Sequence, residues 1–156
     1  MTNETPEALN RFLARQPILT PQRKFFAYEI LSRYGPENYC RPKPGAQLHV
    51  NAMDELFLMG IRTMTEGLPA FINCTREFLI NDYLTMMPRE LVVGEILETV
   101  VPDEEVIAAC KRLRGMGYRL ALDDYTHAAE MQPLMEHADF VKIDVLLTSF
   151  PEQEQL

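Results

Sequence analysis

From Ala70 onward the chain falls into a rhythm of short apolar runs separated by helical patterns. The runs are Ala70–Cys74, Leu91–Leu97, Tyr118–Leu122 and Phe140–Val145. Parallel strands cannot be joined by a tight turn and need a crossover, usually a helix. The alternation therefore predicts an α/β chain with a mostly parallel sheet and helical crossovers. Two earlier apolar runs, Phe12–Leu19 and Phe25–Leu31, are separated only by the turn residues Thr20-Pro21-Gln22-Arg23. So short a link predicts an antiparallel hairpin. The reading thus contains six strands: two in the opening hairpin and four in the repeating part.

The helical segments have their own punctuation. Leu48, Ala52, Leu56, Met59 and Thr63 fall at helical spacing and predict a helix from Ala46 to about Thr65, ended by Gly67 and Pro69. Thr75 can cap a helix running to about Leu84. Pro102-Asp103-Glu104-Glu105 opens a helix with acidic residues, and Lys111, Arg112 and Arg114 close it ahead of Gly115 and Gly117. Those signs suit the helix dipole. The apolar face of this helix is Val106, Ala109, Cys110, Leu113 and Met116. A shorter helical piece is expected around Ala128–His137.

Charge and cysteine usage narrow the function classes. Fifteen Lys and Arg against 23 Asp and Glu give a net charge of −8, and no basic face is present, so DNA is not expected as a partner. No apolar run approaches the ~20 residues of a membrane span. The cysteines, Cys40, Cys74 and Cys110, are three in number and lack a Cys-x-x-Cys pair, which speaks against structural zinc. The N-terminus has no apolar signal core, and a cytoplasmic setting is expected. Residues 1–11 are expected to be flexible, with the domain running from residue 12 to 156.

The chemistry gathers at the strand ends. Asn73 follows Ala70-Phe71-Ile72, Glu95 lies in Val92-Val93-Gly94-Glu95-Ile96, and Asp123 and Asp124 follow Leu120-Ala121-Leu122. Lys142 and Asp144 flank Ile143, and Glu29 lies inside the second strand. Side chains alternate across a strand, so Phe140, Lys142 and Asp144 share one face while Val141, Ile143 and Val145 share the other. Helices cover the apolar face, which leaves Lys142 and Asp144 facing a lumen or crevice. Active sites of α/β sheets collect at the carboxyl ends of the strands. A rim of Glu29, Asn73, Glu95, Asp123, Asp124 and Lys142 offers hard oxygens without His or Cys, a donor set for Mg²⁺ or Mn²⁺. Taken singly, an Asn or Glu at a strand end is usually a solvated rim residue or a helix cap, an Asp-Asp pair is a turn or cap as often as a ligand, and Lys142 with Asp144 reads as an ion pair. Their recurrence at successive strand ends is what argues for a shared site. The remaining conspicuous residues read as structural: His49, His127 and His137 lack partners at metal spacing, Met53, Met59 and Met64 suit helix packing, and Tyr28, Phe71, Cys74 and Cys110 suit a core.

At these residues the chain resembles the EAL-domain family of cyclic di-GMP phosphodiesterases, and within it the divergent EAL domain that precedes an HDOD domain. Gln16-Pro17-Ile18 resembles the opening strand motif, and Glu29-Ile30-Leu31-Ser32-Arg33 the signature Glu-Ala-Leu-x-Arg. Ile72-Asn73-Cys74-Thr75, Glu95-Ile96-Leu97-Glu98, Leu122-Asp123-Asp124-Tyr125 and Val141-Lys142-Ile143-Asp144 resemble the later motifs, in family order. The resemblance implies an incomplete (β/α)8 TIM-type barrel with an antiparallel first strand, about six of eight strands being present. It implies that Glu29, Asn73, Glu95 and Asp123 hold one Mg²⁺ or Mn²⁺, and that Asp123 and Asp124 face a second. Lys142 would position the attacking water, Gln16 and Arg33 would contact cyclic di-GMP, and Glu98 would brace the loop after the Asp-Asp strand. The reaction implied is hydrolysis to pGpG, and the partners implied are cyclic di-GMP, a downstream HDOD domain and a second copy of the chain in a homodimer.

Two departures accompany the resemblance. After Asp124 the chain reads Tyr125-Thr126-His127-Ala128 where active members carry a Gly-Thr-Gly loop. The sequence also stops at Leu156, ahead of the family's last two strands, its proposed general base and a ligand-contacting glutamine. The expectation is a fragment, a truncated gene product or half of an assembly, weakly active or inactive as given. The alternative expectation is a non-enzymatic module that binds cyclic di-GMP or a protein.

Overall fold

A computed structural model describes residues 11–34, 60–125 and 131–143. Among the described residues, six strands form one sheet in sequence order: β1 (Arg11–Leu19), β2 (Phe25–Tyr34), β3 (Ala70–Cys74), β4 (Val92–Ile96), β5 (Arg119–Leu122) and β6 (Phe140–Val141). β1 and β2 are antiparallel, and every later pair is parallel. This is the mostly parallel sheet with an antiparallel opening pair expected from the alternation and the hairpin, and the curled, incomplete barrel wall that the resemblance implies. The helices are α1 (Ile61–Met64), α2 (Arg76–Ile80), α3 (Glu104–Gly115) and α4 (Gln132–Met135), with a 3-10 turn at Tyr83–Met86. No helix of the described residues is long and apolar enough to cross a membrane.

The sheet's two faces carry different loads. The helix-covered face is the main core: Tyr28, Ile30, Ala70, Ile72, Cys74, Val92, Ile96, Leu120 and Leu122 pack against Phe78, Leu79, Val106, Ala109, Cys110 and Leu113 from α2 and α3. Gly94 belongs to this face because a side chain there would collide. A Cβ would lie 2.8 Å from Leu84 and 3.1 Å from Leu120. The opposite face holds only a small cluster of Ala27, Phe71, Val93 and Ala121, with Ile18, Phe26 and Phe140 against it. Phe140 meets Phe26 edge-on and Phe71 at a tilt, and lies under the Arg119 guanidinium. Phe26 reaches this face because the β1–β2 register shifts between Ile18 and Leu19, where a bulge inserts an extra residue.

Several helix limits differ from the sequence expectation. The helix capped by Thr75 stops at Ile80 rather than Leu84. Asp82 takes a left-handed conformation (φ 55°) that Asp tolerates, and Arg112 of α3 grips its carboxylate at 2.8–3.1 Å. The chain then tightens into the 3-10 turn. Asp103 caps α3 by accepting from Val106 N at 2.9 Å, and Gly117 turns left-handed (φ 88°) just past its end. The basic residues of its last turn do more than complement the dipole: Arg114 pairs with Asp139 at 3.0 Å, and Asp139 accepts from Leu120 N at the start of β5. The short expected helix near the C-terminal strand is confined to Gln132–Met135. Of the helix expected over 46–65, only residues 60–65 lie within the described part. Cys40, His49, Met53, Met59, His127 and Asp144 lie outside it. Cys74 and Cys110 are free and buried.

Candidate metal centre

The site is built from the residues facing away from the helices. Because Tyr28 and Ile30 face the helices, Glu29 faces the other way, and the same alternation turns Asn73, Glu95, Asp123 and Lys142 to that side. The ladder sets their level. Asn73 is the direct partner of Glu95 across β3–β4, and Glu95 pairs with Ala121 across β4–β5. Asp123 N donates to Ile96 O at 2.9 Å, which carries the ladder past the end of β5. β6 ends at Val141, earlier than the expected Val145. Lys142 nevertheless extends the pairing, since its N donates to Leu122 O and its O accepts from Tyr125 N, both at 2.9 Å.

At the centre is the Lys142 ammonium. Its Nζ donates to Glu29 Oε2 at 3.0 Å and lies 2.9 Å from Asp123 Oδ1. It also donates to Glu95 Oε1. Four residues from four strands or strand ends thus meet at one point, as expected for Glu29, Glu95, Asp123 and Lys142. Asn73 stands beside them through its pairing with Glu95.

The electrostatics of this cluster follow from depth. Glu95 is 0% exposed. Burial raises its carboxyl to about 8, with Glu29 and Asp123 adding to the rise and Lys142 opposing it. Burial works to lower Lys142, but the hydrogen bond and charge of Glu95, with Asp123 and Glu29, outweigh it and hold the ammonium protonated.

A divalent cation fits these donors. Asn73 Oδ1 and Glu95 Oε2 are buried without a hydrogen-bond partner among the described residues. A buried polar atom left unpaired costs about 1–3 kcal/mol, so native folds supply it a partner. Both atoms are hard oxygens on neighbouring strands, the kind Mg²⁺, Mn²⁺ and Ca²⁺ take. Glu98, Asp123 and Asp124 form a second acidic group, with one carboxylate oxygen from each lying within 4.8 Å of the others. Asp124 takes φ 42°, and its N donates to Asp123 Oδ1 at 3.1 Å. Glu98, expected as a brace for the loop after the Asp-Asp strand, thus lies beside both residues of that pair. Its signal was its position just after β4, level with the next strand end.

The expected ligand contacts are placed less tightly. Gln16 is exposed and sits directly across the hairpin from Glu29. Arg33 lies in β2, paired with Phe12. Tyr28 and Phe71 are core residues, on opposite faces of the sheet.

No protein-family model matches the sequence. Among known proteins, the chain is 36% identical to Bacillus subtilis YuxH over 152 residues, 93% of this chain and 37% of that protein. It is 33% identical to the cyclic di-GMP phosphodiesterase CdgJ of Vibrio cholerae over 137 residues, 86% of this chain and 32% of that protein. The chain therefore spans about a third of the length of these relatives. Among solved structures, Klebsiella pneumoniae BlrP1 in its calcium and cyclic di-GMP complex matches with a TM-score of 0.69 at 20% identity, over 91% of this chain and 42% of that one. The EAL enzyme Bd1971, with cAMP and cyclic di-GMP bound, matches with a TM-score of 0.64 at 16% identity, over 93% of this chain and 50% of that one. The motifs in their order, the sheet they build and these relatives together make the chain a member of the EAL-domain family.

Proposed function

We propose that this chain carries the metal-holding part of a cyclic di-GMP site. In this reading Glu29, Asn73, Glu95 and Asp123 hold one Mg²⁺ or Mn²⁺, Asp123 and Asp124 face a second, and Lys142 positions the water that attacks the phosphodiester. The observation that most supports it is Glu95, a fully buried strand carboxylate whose Oε2 has no partner among the described residues, beside Asn73 Oδ1 in the same condition. The choice of ligand is supported by CdgJ, named a cyclic di-GMP phosphodiesterase, and by the cyclic di-GMP and calcium in the BlrP1 complex.

Bound divalent ions would supply an acidified water and charge neutralisation at the phosphate. The chain's own groups do the rest. Lys142, with three N–H donors on a flexible stem, can turn a donor toward a water. Gln16, across from Glu29, offers a neutral donor and acceptor to the dinucleotide, and Arg33 a charged donor. Glu98 steadies Asp123 and Asp124, either as a brace or through a shared cation.

The alternative is a module that binds cyclic di-GMP without cleaving it. It draws on the stretch after Asp124, which reads Tyr125-Thr126-His127 without glycine. One experiment separates the two: pGpG formation with Mg²⁺ or Mn²⁺, run beside a cyclic di-GMP binding titration. Turnover lost on Glu29→Ala supports a phosphodiesterase. Binding without turnover supports a receptor. Absence of both sinks the cyclic di-GMP reading for this chain.

A further inference from the structure

Lys142 carries more acidic partners than water positioning requires. Its Nζ lies 3.0 Å from Glu29 Oε2 and 2.9 Å from Asp123 Oδ1, and it donates to Glu95 Oε1 as well. A structural ion pair needs one acid. Here a single ammonium is shared by three, contributed by β2, β4 and the end of β5, and these are three of the residues assigned above to the first cation. The ammonium and a divalent ion thus compete for one set of oxygens.

We infer that Lys142 is the site's internal counterion, an ammonium that holds the three carboxylates together and must be displaced from them when a divalent cation binds. The inference rests on the metal assignment made above. Burial decides which group moves. Glu95 is fully enclosed, and the Glu29 and Asp123 side chains are 14% exposed, whereas the Lys142 side chain is 31% exposed. The lysine alone combines a long flexible stem with a route toward the open rim. Without its charge, the ionised carboxylates of the cleft repel each other. With it, the site is preassembled, but a cation binds only by exchange. The arrangement trades affinity for a cleft that keeps its shape, and it sets a threshold cation concentration below which the lysine stays in place.

The test is a Mn²⁺ titration of the full 156-residue chain, following free Mn²⁺ by electron paramagnetic resonance. Lys142→Met keeps the stem and removes the charge. It is expected to bind Mn²⁺ about tenfold more tightly or better, the scale on which one close charge shifts the binding of another cation. It is also expected to melt at a lower temperature when the metal is chelated. Equal or weaker Mn²⁺ affinity in Lys142→Met would overturn the inference. A second measurement on the unaltered chain covers the case in which the variant does not fold. Acetylation of each lysine is followed by peptide mass spectrometry with and without Mn²⁺. Displacement predicts that Lys142 reacts faster with Mn²⁺ present while Lys24 and Lys111 do not change, and an unchanged Lys142 rate would overturn it. Asp123→Asn keeps the two readings apart. Mn²⁺ binding indifferent to Asp123→Asn sinks the metal assignment itself, whereas binding weakened by Asp123→Asn but not strengthened by Lys142→Met sinks only the counterion.

Discussion

The two faces of the sheet are written in alternate residues of the same strands, and they obey different rules. In β4, Val92, Gly94 and Ile96 face the helices, where space is so limited that Gly94 admits no side chain. The intervening Val93 and Glu95 face the other way. Val93 completes a small apolar floor, and one step further Glu95 enters a cluster of three carboxylates and a lysine. The helix-covered face gains stability from burying apolar surface. The other face gives up that stabilisation at its carboxyl end: it buries an unpaired carboxylate oxygen and sets like charges side by side. Such an arrangement persists because the well-packed face holds the strands in register beneath it. Stability and chemistry are thus separated by one residue in sequence and one sheet thickness in space.

That contrast can be broken from either side. The largest effect is expected on the packed face. Leu120 is fully buried against both helix-derived core and Gly94. Leu120→Ala should cost about 2–5 kcal/mol, the range for emptying a core position, read as a lower denaturation midpoint. A loss below ~1 kcal/mol would mean that this face is not the stabilising one.

On the other face, Asp123→Asn preserves shape and removes a charge. It is expected to weaken Mn²⁺ binding by about 10–100-fold, the scale for disturbing a metal site, while leaving the metal-free melting temperature close to that of the unaltered chain. A large fall in melting temperature with intact Mn²⁺ binding would reverse the assignment of the two faces.

The pH dependence sharpens the same contrast. Glu95 keeps its proton to about 8 in the fold, against an ordinary value of 4.5. The folded chain therefore binds more protons than the unfolded one between those values, and this group's contribution to stability falls as pH rises from 4.5 to 8. A cation needs the ionised carboxylate, so Mn²⁺ affinity should fall as pH drops below about 8, by at most about tenfold per unit. Affinity that is flat from pH 6 to 9 would show that no carboxyl of the cation site gains a proton in that range. The smallest effect is expected at α2, where Thr75 accepts from Phe78 N at 3.3 Å. Thr75→Ala should cost about 0.5–2 kcal/mol and leave Mn²⁺ binding unchanged; a change in binding would couple this cap to the site.

Much of this was legible in the sequence because two periodicities carry it. Strand alternation turns Lys142 away from Val141 and Ile143. The recurrence of acids after Leu122 and within Val92–Ile96 located the rim. Boundaries were less legible. The helix after Thr75 was expected to reach Leu84, since nothing in Asn81-Asp82-Tyr83 shows that Arg112, thirty residues on, will hold Asp82 in a left-handed turn. The bulge that brings Phe26 beside Ala27 was equally invisible, because hairpin register depends on both strands together.

The sequence by itself determined the class of fold, the order of the strands and which residues share a face, because these follow from local periodicity and from the need for crossovers between parallel strands. Only the tertiary structure decided that one ammonium is shared by Glu29, Glu95 and Asp123, that Glu95 Oε2 and Asn73 Oδ1 are left without partners among the described residues, and that Glu98 joins Asp123 and Asp124. Strand pattern states which way a side chain points but not how far neighbouring strands are staggered. The curl and stagger of the sheet place residues 113 positions apart within hydrogen-bond distance, and they arise from the packing of the whole sheet against its helices rather than from any one segment.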